Sequence, residues 1–375
     1  MAEFLFSCVT QIHNSFLCDF NFETFKLLFY EERTNVVPKK RNNSGFSMSD
    51  EKVEKDVKPL LSVILATKGN KTVFLERCIN SLQNQTFQQF ETIVVYSIYP
   101  EGLSKLFEDC HILTLKENGR TLGAARNLGV KSAKADIVVF IDDDAEAPND
   151  WLSKIYSTFQ QYPSLMCLGG AHLTPVEEGN SSVLRFVEGS FAELQRRKVV
   201  LDRSAVGKIA GCNVAYRKII FDKIGPLSET LRSGEDWEFH IRIAENGYAL
   251  RFDPQIPVWH HRQGLKHAFK NSSNMVPFFF SWKALKYSRH EYFFASFYLS
   301  NFLFLILIAT LFISPIVFVL FLVLILSCYF IFTAVRTRMH DRRLVYFPLV
   351  VLFTLARIFG FYYGILKQIA SKLHH

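Results

Sequence analysis

Residues 292–335, YFFASFYLSNFLFLILIATLFISPIVFVLFLVLILSCYFIFTAV, contain no charged side chain. The run is about twice the ~20 apolar residues that cross a bilayer, longer than a buried globular helix sustains without charge. Ser314-Pro315 near its middle supplies a turn, so the sequence predicts a transmembrane helical hairpin over 292–335. Lys283, Lys286 and Arg289 precede the run, and Arg336, Arg338, Arg342 and Arg343 follow it. Both basic flanks then lie on one side, which the positive-inside rule makes cytoplasmic. A further apolar stretch, 344–366, carries Arg357 near its middle. It either crosses with Arg357 turned toward another helix or lies in the interface with Arg357 snorkelling.

The expected organisation follows from this. Residues 1–58 form a poorly ordered extension, with translation starting naturally at Met48, where MSDEKVEKDVKPLLSVILA reads as an opening before a first strand. Residues 59–264 form a cytoplasmic domain, 265–291 a basic and aromatic interfacial linker, 292–335 the hairpin and 336–343 a basic cytosolic loop. A third transmembrane or interfacial helix spans 344–366, and 367–375 is a tail. The expected location is that of a multi-pass integral membrane protein. The formal charge of +8 gathers at these membrane flanks, so it is explained by anionic lipid and does not call for nucleic acid. Seven cysteines with no C-x-x-C pair indicate neither a zinc ribbon nor a disulfide framework.

Between residues 60 and 260 strand and helix patterns alternate. LLSVILA (60–66), FETIVVYS (90–97), HILTLK (111–116) and DIVVFID (136–142) read as strands, with helical spacing over 71–85 and 120–133. Such alternation predicts an α/β fold with a mainly parallel sheet flanked by helices, and ligands at the carboxyl ends of its strands. Asp142, Asp143 and Asp144 stand at such an end. Three carboxylates there are a solvated turn, an acid/base pair or a site for a hard divalent cation. Mg²⁺ takes one or two protein carboxylates and completes its shell with phosphate and water, which suits an Asp-x-Asp. A second acidic group, Glu235-Asp236, opens a helix after Gly234, where the dipole alone favours negative charge.

Taken in order, SVILATKGNKTVFLERCINSLQNQTFQQFETIVV, GRTLGAARN, VVFIDDDAEAPNDWL, AGCNVAYRK and GEDWEFHIRIAENGYALRFDP resemble the family 2 glycosyltransferases with the GT-A fold, over residues 61 to about 262. The resemblance implies a donor that is a nucleotide-diphosphate sugar and a cation, Mg²⁺ or Mn²⁺. It implies donor contacts from Thr67, Arg126, Asn127, Asp142 and Asp143, metal ligation by Asp142 and Asp144 with His260 (or His261) completing the site, and Asp236 as general base beside Glu235. Two departures narrow it. Tyr96 and Ser97 stand where the family usually carries acidic residues that read the base, and the Gln-x-x-Arg-Trp motif of processive synthases is absent. The expectation is an inverting, non-processive enzyme whose anchor brings it to a membrane-associated acceptor, a polyprenyl-linked glycan, with membrane lipids as neighbours. A polyprenyl-phosphate sugar synthase and a membrane-tethered scaffold on a degenerate transferase domain are the alternatives.

Overall fold

The structure, a computed structural model, describes residues 58–119, 121–173, 199–201, 205–206, 208–261, 264–279, 292–336 and 347–373. The chain divides into two units at Lys58/Pro59, and all but Lys58 of the described residues belong to the second. The extension up to residue 57, the start at Met48 and the basic loop after Arg336 lie outside the described residues.

An eight-stranded sheet runs in the order β3-β2-β1-β4-β7-β6-β8-β5. Its strands are β1 (Leu61–Thr67), β2 (Phe90–Tyr96), β3 (Leu113–Lys116), β4 (Ile137–Asp142), β5 (Ala145–Glu146), β6 (Leu165–Leu173), β7 (Asn213–Arg217) and β8 (Ala249–His260). The four strands anticipated from the sequence are present with ends displaced by up to two residues. The half made of β3, β2, β1 and β4 is parallel, but β7 runs antiparallel to both β4 and β6, and β5 antiparallel to β8. The sheet is therefore mixed, a correction to the mainly parallel sheet expected. Strand direction depends on pairing between segments some seventy residues apart, and a local apolar pattern does not carry it.

Both faces of the central strands are covered, so these strands read as continuous apolar runs. Alternate side chains go to opposite cores: Ile64, Val138 and Phe140 to one, Val63, Leu65, Val139 and Ile141 to the other. Helix α1 (Thr72–Gln83) covers the second core with Leu75, Cys78, Ile79 and Leu82, a spacing that lines one helical face. Short helix α2 (Ser104–Asp109) adds Phe107 to that layer, and α4 (Trp151–Gln161) adds Trp151, Leu152, Ile155 and Phe159. The first core lies under α3 (Leu122–Ser132), α5 (Ile219–Ile224) and α6 (Glu235–Glu245).

Two short helices, α7 (Gly264–Asn274) and α8 (Val276–Phe279), lie in the described part, up to residue 279, of the 265–291 segment expected to be a linker. They belong to the domain: Met275, Val276 and Phe278 are buried in the first core. Helices α9 (Tyr292–Ile313) and α10 (Pro315–Arg336), 22 residues each, are interrupted at Ser314 where the turn was expected. Helix α11 (Phe347–Leu373) continues through most of the stretch expected as a tail and packs on α7. A β-carbon on Gly364 would lie 2.6 Å from the Ser273 carbonyl oxygen, so glycine is what permits this approach, and Phe361 of α11 reaches the first core. Side chains are described over only part of these helices, and among the described residues no helix is long and apolar enough to cross a membrane.

Candidate active site

Sheet topology assembles the site. The antiparallel partner of β4 begins where β4 ends, so Gly211, Cys212 and Asn213 come beside Asp142; the pairing places Asn213 opposite Ile141. Strand β8 returns along β6 and meets β5 with His260 opposite Ala145, which brings both histidines of VWHHR to the aspartates. Helix α6 then points its first turn, Glu235 and Asp236, at the same strand ends.

Each aspartate has a distinct partner. Asp142 Oδ1 accepts from Arg126 Nη2 at 2.8 Å, and its Oδ2 lies 3.5 Å from His260 Nε2. Burial pushes this carboxyl up, but the His260 contact and the Arg126 charge outweigh it and hold it below the ordinary value. Asp143 accepts from the Thr67 hydroxyl at 2.6 Å; burial drives its pKa up to about 6, against the pull of that hydrogen bond. Asp144 is flanked by Lys71 Nζ at 2.9 Å and His260 Nε2 at 3.1 Å. Burial opposes its ionisation, yet these two neighbours hold it well below the usual carboxylate range. His261 donates its backbone N–H to the Asp144 carbonyl at 2.8 Å and its ring meets Glu146 at 2.6 Å, so it braces the turn from outside the cluster.

Arg126, expected among the donor contacts, joins the two acidic groups. Its Nη1 donates to Glu235 Oε1 at 2.9 Å, and its Nη2 donates to the Gly211 carbonyl at 2.8 Å as well as to Asp142. Its side chain is 3% exposed and lies over the Phe140 ring. Glu235 is similarly enclosed, and burial with the neighbouring Asp236 charge pushes its pKa up to about 7 despite Arg126. Asp236 accepts from Gly211 N–H at 2.7 Å through Oδ2 and from Trp237 N–H at 2.8 Å through Oδ1. The cap of α6 is Gly234 at φ +85°, and the Phe278 ring lies 3.0 Å from where a β-carbon on Gly234 would stand.

Asn127 has a different neighbourhood from the other expected donor contacts. Its amide holds Leu227 through both backbone groups and reaches Glu229, which fixes the loop leading toward α6. The structure thus brings Thr67, Arg126, Asp142, Asp143, Asp144, Glu235, Asp236 and His260 together and sets Asn127 to one side. It also adds residues that motif reading passed over. Lys71 follows β1 and pairs with Asp144. Cys212 forms a group with Asp142 and His260 whose ligand atoms all lie within 4.8 Å of one another. The signal for Lys71 was its place just after the strand-end TKGN; for Cys212 no local signal exists, because its proximity comes from β4–β7 pairing.

Residues 62–225 match the Glycosyl transferase family 2 description. Glycosyltransferase AglE of Haloferax volcanii is 24% identical over 203 residues, 52% of this chain and 64% of that protein. An uncharacterized glycosyltransferase of Haemophilus influenzae is 29% identical over 190 residues, 50% of this chain and 62% of that protein. The glucosyl-dolichyl phosphate glucuronosyltransferase of Haloferax volcanii is 22% identical over 185 residues, 47% of this chain and 58% of that protein. The chain thus spans less than two thirds of the length of these relatives. Residues 62–225, less than half of the chain, are thus similar to the Glycosyl transferase family 2 model, and they carry most of the mixed α/β sheet with the strand-end aspartates.

Proposed function

We propose that the protein is an inverting, cation-dependent, non-processive glycosyltransferase, transferring a sugar from a nucleotide-diphosphate donor to a polyprenyl-linked glycan at the cytosolic membrane face. The observation that carries this reading is the opposition of two acidic groups across one strand end: Asp142 and Asp144 with His260 on one side, and Asp236 on α6 on the other.

A dication fits the donor side. Five carboxylates, Asp142, Asp143, Asp144, Glu235 and Asp236, gather at this strand end, with Arg126 paired to Asp142 and Glu235 and Lys71 paired to Asp144. Asp142, Asp144 and His260 would hold Mg²⁺ or Mn²⁺, the hard ligands and imidazole such ions accept. Bound there, the cation supplies stabilisation of the negative charge that develops on the leaving diphosphate. Asp236 takes the proton of the acceptor hydroxyl as that oxygen attacks the anomeric carbon from the face opposite the leaving group. Gly211 N–H at 2.7 Å aims this carboxylate, and Arg126, tied to Glu235, Asp142 and the Gly211 carbonyl, keeps the two halves in register. Thr67 and Asp143 line the donor side through their mutual hydrogen bond.

Membrane attachment rests on the uncharged sequence run 292–335, about twice the ~20 apolar residues that cross a bilayer. Apolar side chains around the break are open, with Phe312 at 85%, Ile313 at 76% and Ile316 at 72%. A lipid-linked acceptor suits a soluble donor joined to an anchored enzyme, and one relative bears glucosyl-dolichyl phosphate in its name. The test presents full-length protein with nucleotide sugars, Mn²⁺ and either a lipid-linked saccharide or the bare polyprenyl phosphate. Transfer to the saccharide, lost in Asp236→Asn, is expected. Transfer to the lipid phosphate alone would make it a sugar-phosphate synthase, and no transfer or donor hydrolysis with any nucleotide sugar would favour an inert scaffold.

A further inference from the structure

We propose that Cys212 is itself a ligand of the cation, so that a thiolate joins the carboxylates and the imidazole that hold the ion. This rests on the cation-dependent reading above and goes beyond it by naming a further donor and the class of ion it selects.

Position is the first argument. Ligand atoms of Asp142, Cys212 and His260 lie within 4.8 Å of one another. Ligands sharing one ion through bonds of about 2.0–2.3 Å in a tetrahedral array stand roughly 3.3–3.8 Å apart, a contraction that small side-chain rotations achieve. Support of the thiol is the second. Cys212 is 7% exposed, and both neighbours in sequence are pinned. Gly211 donates its N–H to Asp236 and accepts from Arg126. Asn213 accepts from the Trp151 indole at 3.0 Å and donates to the carbonyls of Ala171 and Ile256, both at 2.8 Å. The backbone carrying Cys212 is thus tied to α4, β6, β8 and α6 together, which is how rigid elements hold a ligand at fixed geometry.

The donor set then decides the ion. Oxygen-only sites suit Mg²⁺, whereas thiolate and imidazole favour ions further along the first transition row. With sulfur at Cys212, the site prefers Co²⁺ or Zn²⁺, and Mn²⁺ after them, over Mg²⁺. Coordination releases the thiol proton to solvent and changes no oxidation state.

Co²⁺ alone is the probe, titrated into the full-length protein while near-ultraviolet absorption is recorded and binding is followed by calorimetry. The expected result is a sulfur-to-cobalt charge-transfer band in the parent, not displaced by excess Mg²⁺. In Cys212→Ser the band is expected to vanish with Co²⁺ affinity at least about tenfold weaker, a loss no smaller than that seen on removing outer-shell partners of a metal ligand. Co²⁺ binding to the parent without the band, or a band that survives in Cys212→Ser, overturns the assignment while leaving a cation site. No Co²⁺ binding to the parent overturns the cation-dependent reading as well. The parent spectrum decides even if the variant folds poorly.

Discussion

Removing the Arg126 guanidinium tests the joint between the two acidic groups most directly. Arg126→Met keeps the length of the side chain and deletes its charge. It breaks ion pairs of 2.8 Å to Asp142 and 2.9 Å to Glu235 and the bond to the Gly211 carbonyl. The Asp142 side chain is 27% exposed, and water replaces part of what it loses, but Glu235 at 4% has no such recourse. Leaving one partner of a buried pair uncompensated costs about 3–5 kcal/mol. At roughly 2–4 °C per kcal/mol for a domain of this size, Tm should fall by about 6–20 °C. Glu235, already pushed up to about 7, rises further without its cation. A carboxyl raised in the folded state contributes stability that is complete below its unfolded pKa and lost as pH rises through the folded one. The deficit of Arg126→Met should therefore be larger at pH 8 than at pH 6. Adding Glu235→Gln should recover part of the loss, with a coupling of about 1–3 kcal/mol, and flatten that pH dependence. Thermal melts of the parent, both single variants and the double variant at the two pH values provide the cycle. An Arg126→Met Tm within about 2 °C of the parent, or strict additivity of the two changes, would refute the reasoning.

Asp236→Asn should lower transfer by about 10²–10⁴ while donor-induced thermal stabilisation persists, since the base and the donor site lie on opposite sides; unchanged turnover would remove Asp236 from its role. Glu235→Gln alone should abolish most of the decline in Tm between pH 5 and pH 8, because burial and Asp236 raise its folded pKa to about 7 and the parent releases that proton across this window. A parallel decline in the variant would place the responsible group elsewhere. Phe278→Ala empties a fully buried position beside Gly234 and should cost about 3–5 kcal/mol. With the cap of α6 loosened, kcat should drop more than the donor KM changes; equal effects on both would show that Phe278 does not steady Asp236.

The sequence was most legible where structure is local. β1, β2 and β4 announced themselves as short apolar runs because parallel central strands are buried on both faces. The strand-end aspartates, the acidic first turn of α6 and the paired histidines were visible as residue types that a turn or helix end does not require in that combination. The segment 265–291 read as a linker because its basic and aromatic residues have no clean period, although Met275, Val276 and Phe278 reach the core. Asn127 lay next to Arg126 in the motif and was grouped with it, yet a helix separates adjacent side chains by about 100°, and the two serve different neighbours.

By itself, then, the sequence determined the alternation of strands and helices, the chemistry placed at the end of β4 and at the start of α6, and the uncharged run that follows the domain. Tertiary structure alone decided how these meet. The reversal of β7 put Gly211 and Cys212 beside Asp142, the return of β8 delivered His260, and Arg126 became the buried link between Asp142 and Glu235. The reason is that these contacts join residues up to 118 positions apart, as Asp142 and His260 are. Pairing across a sheet is set by the register and direction of whole strands, which the periodicity of a single segment does not contain.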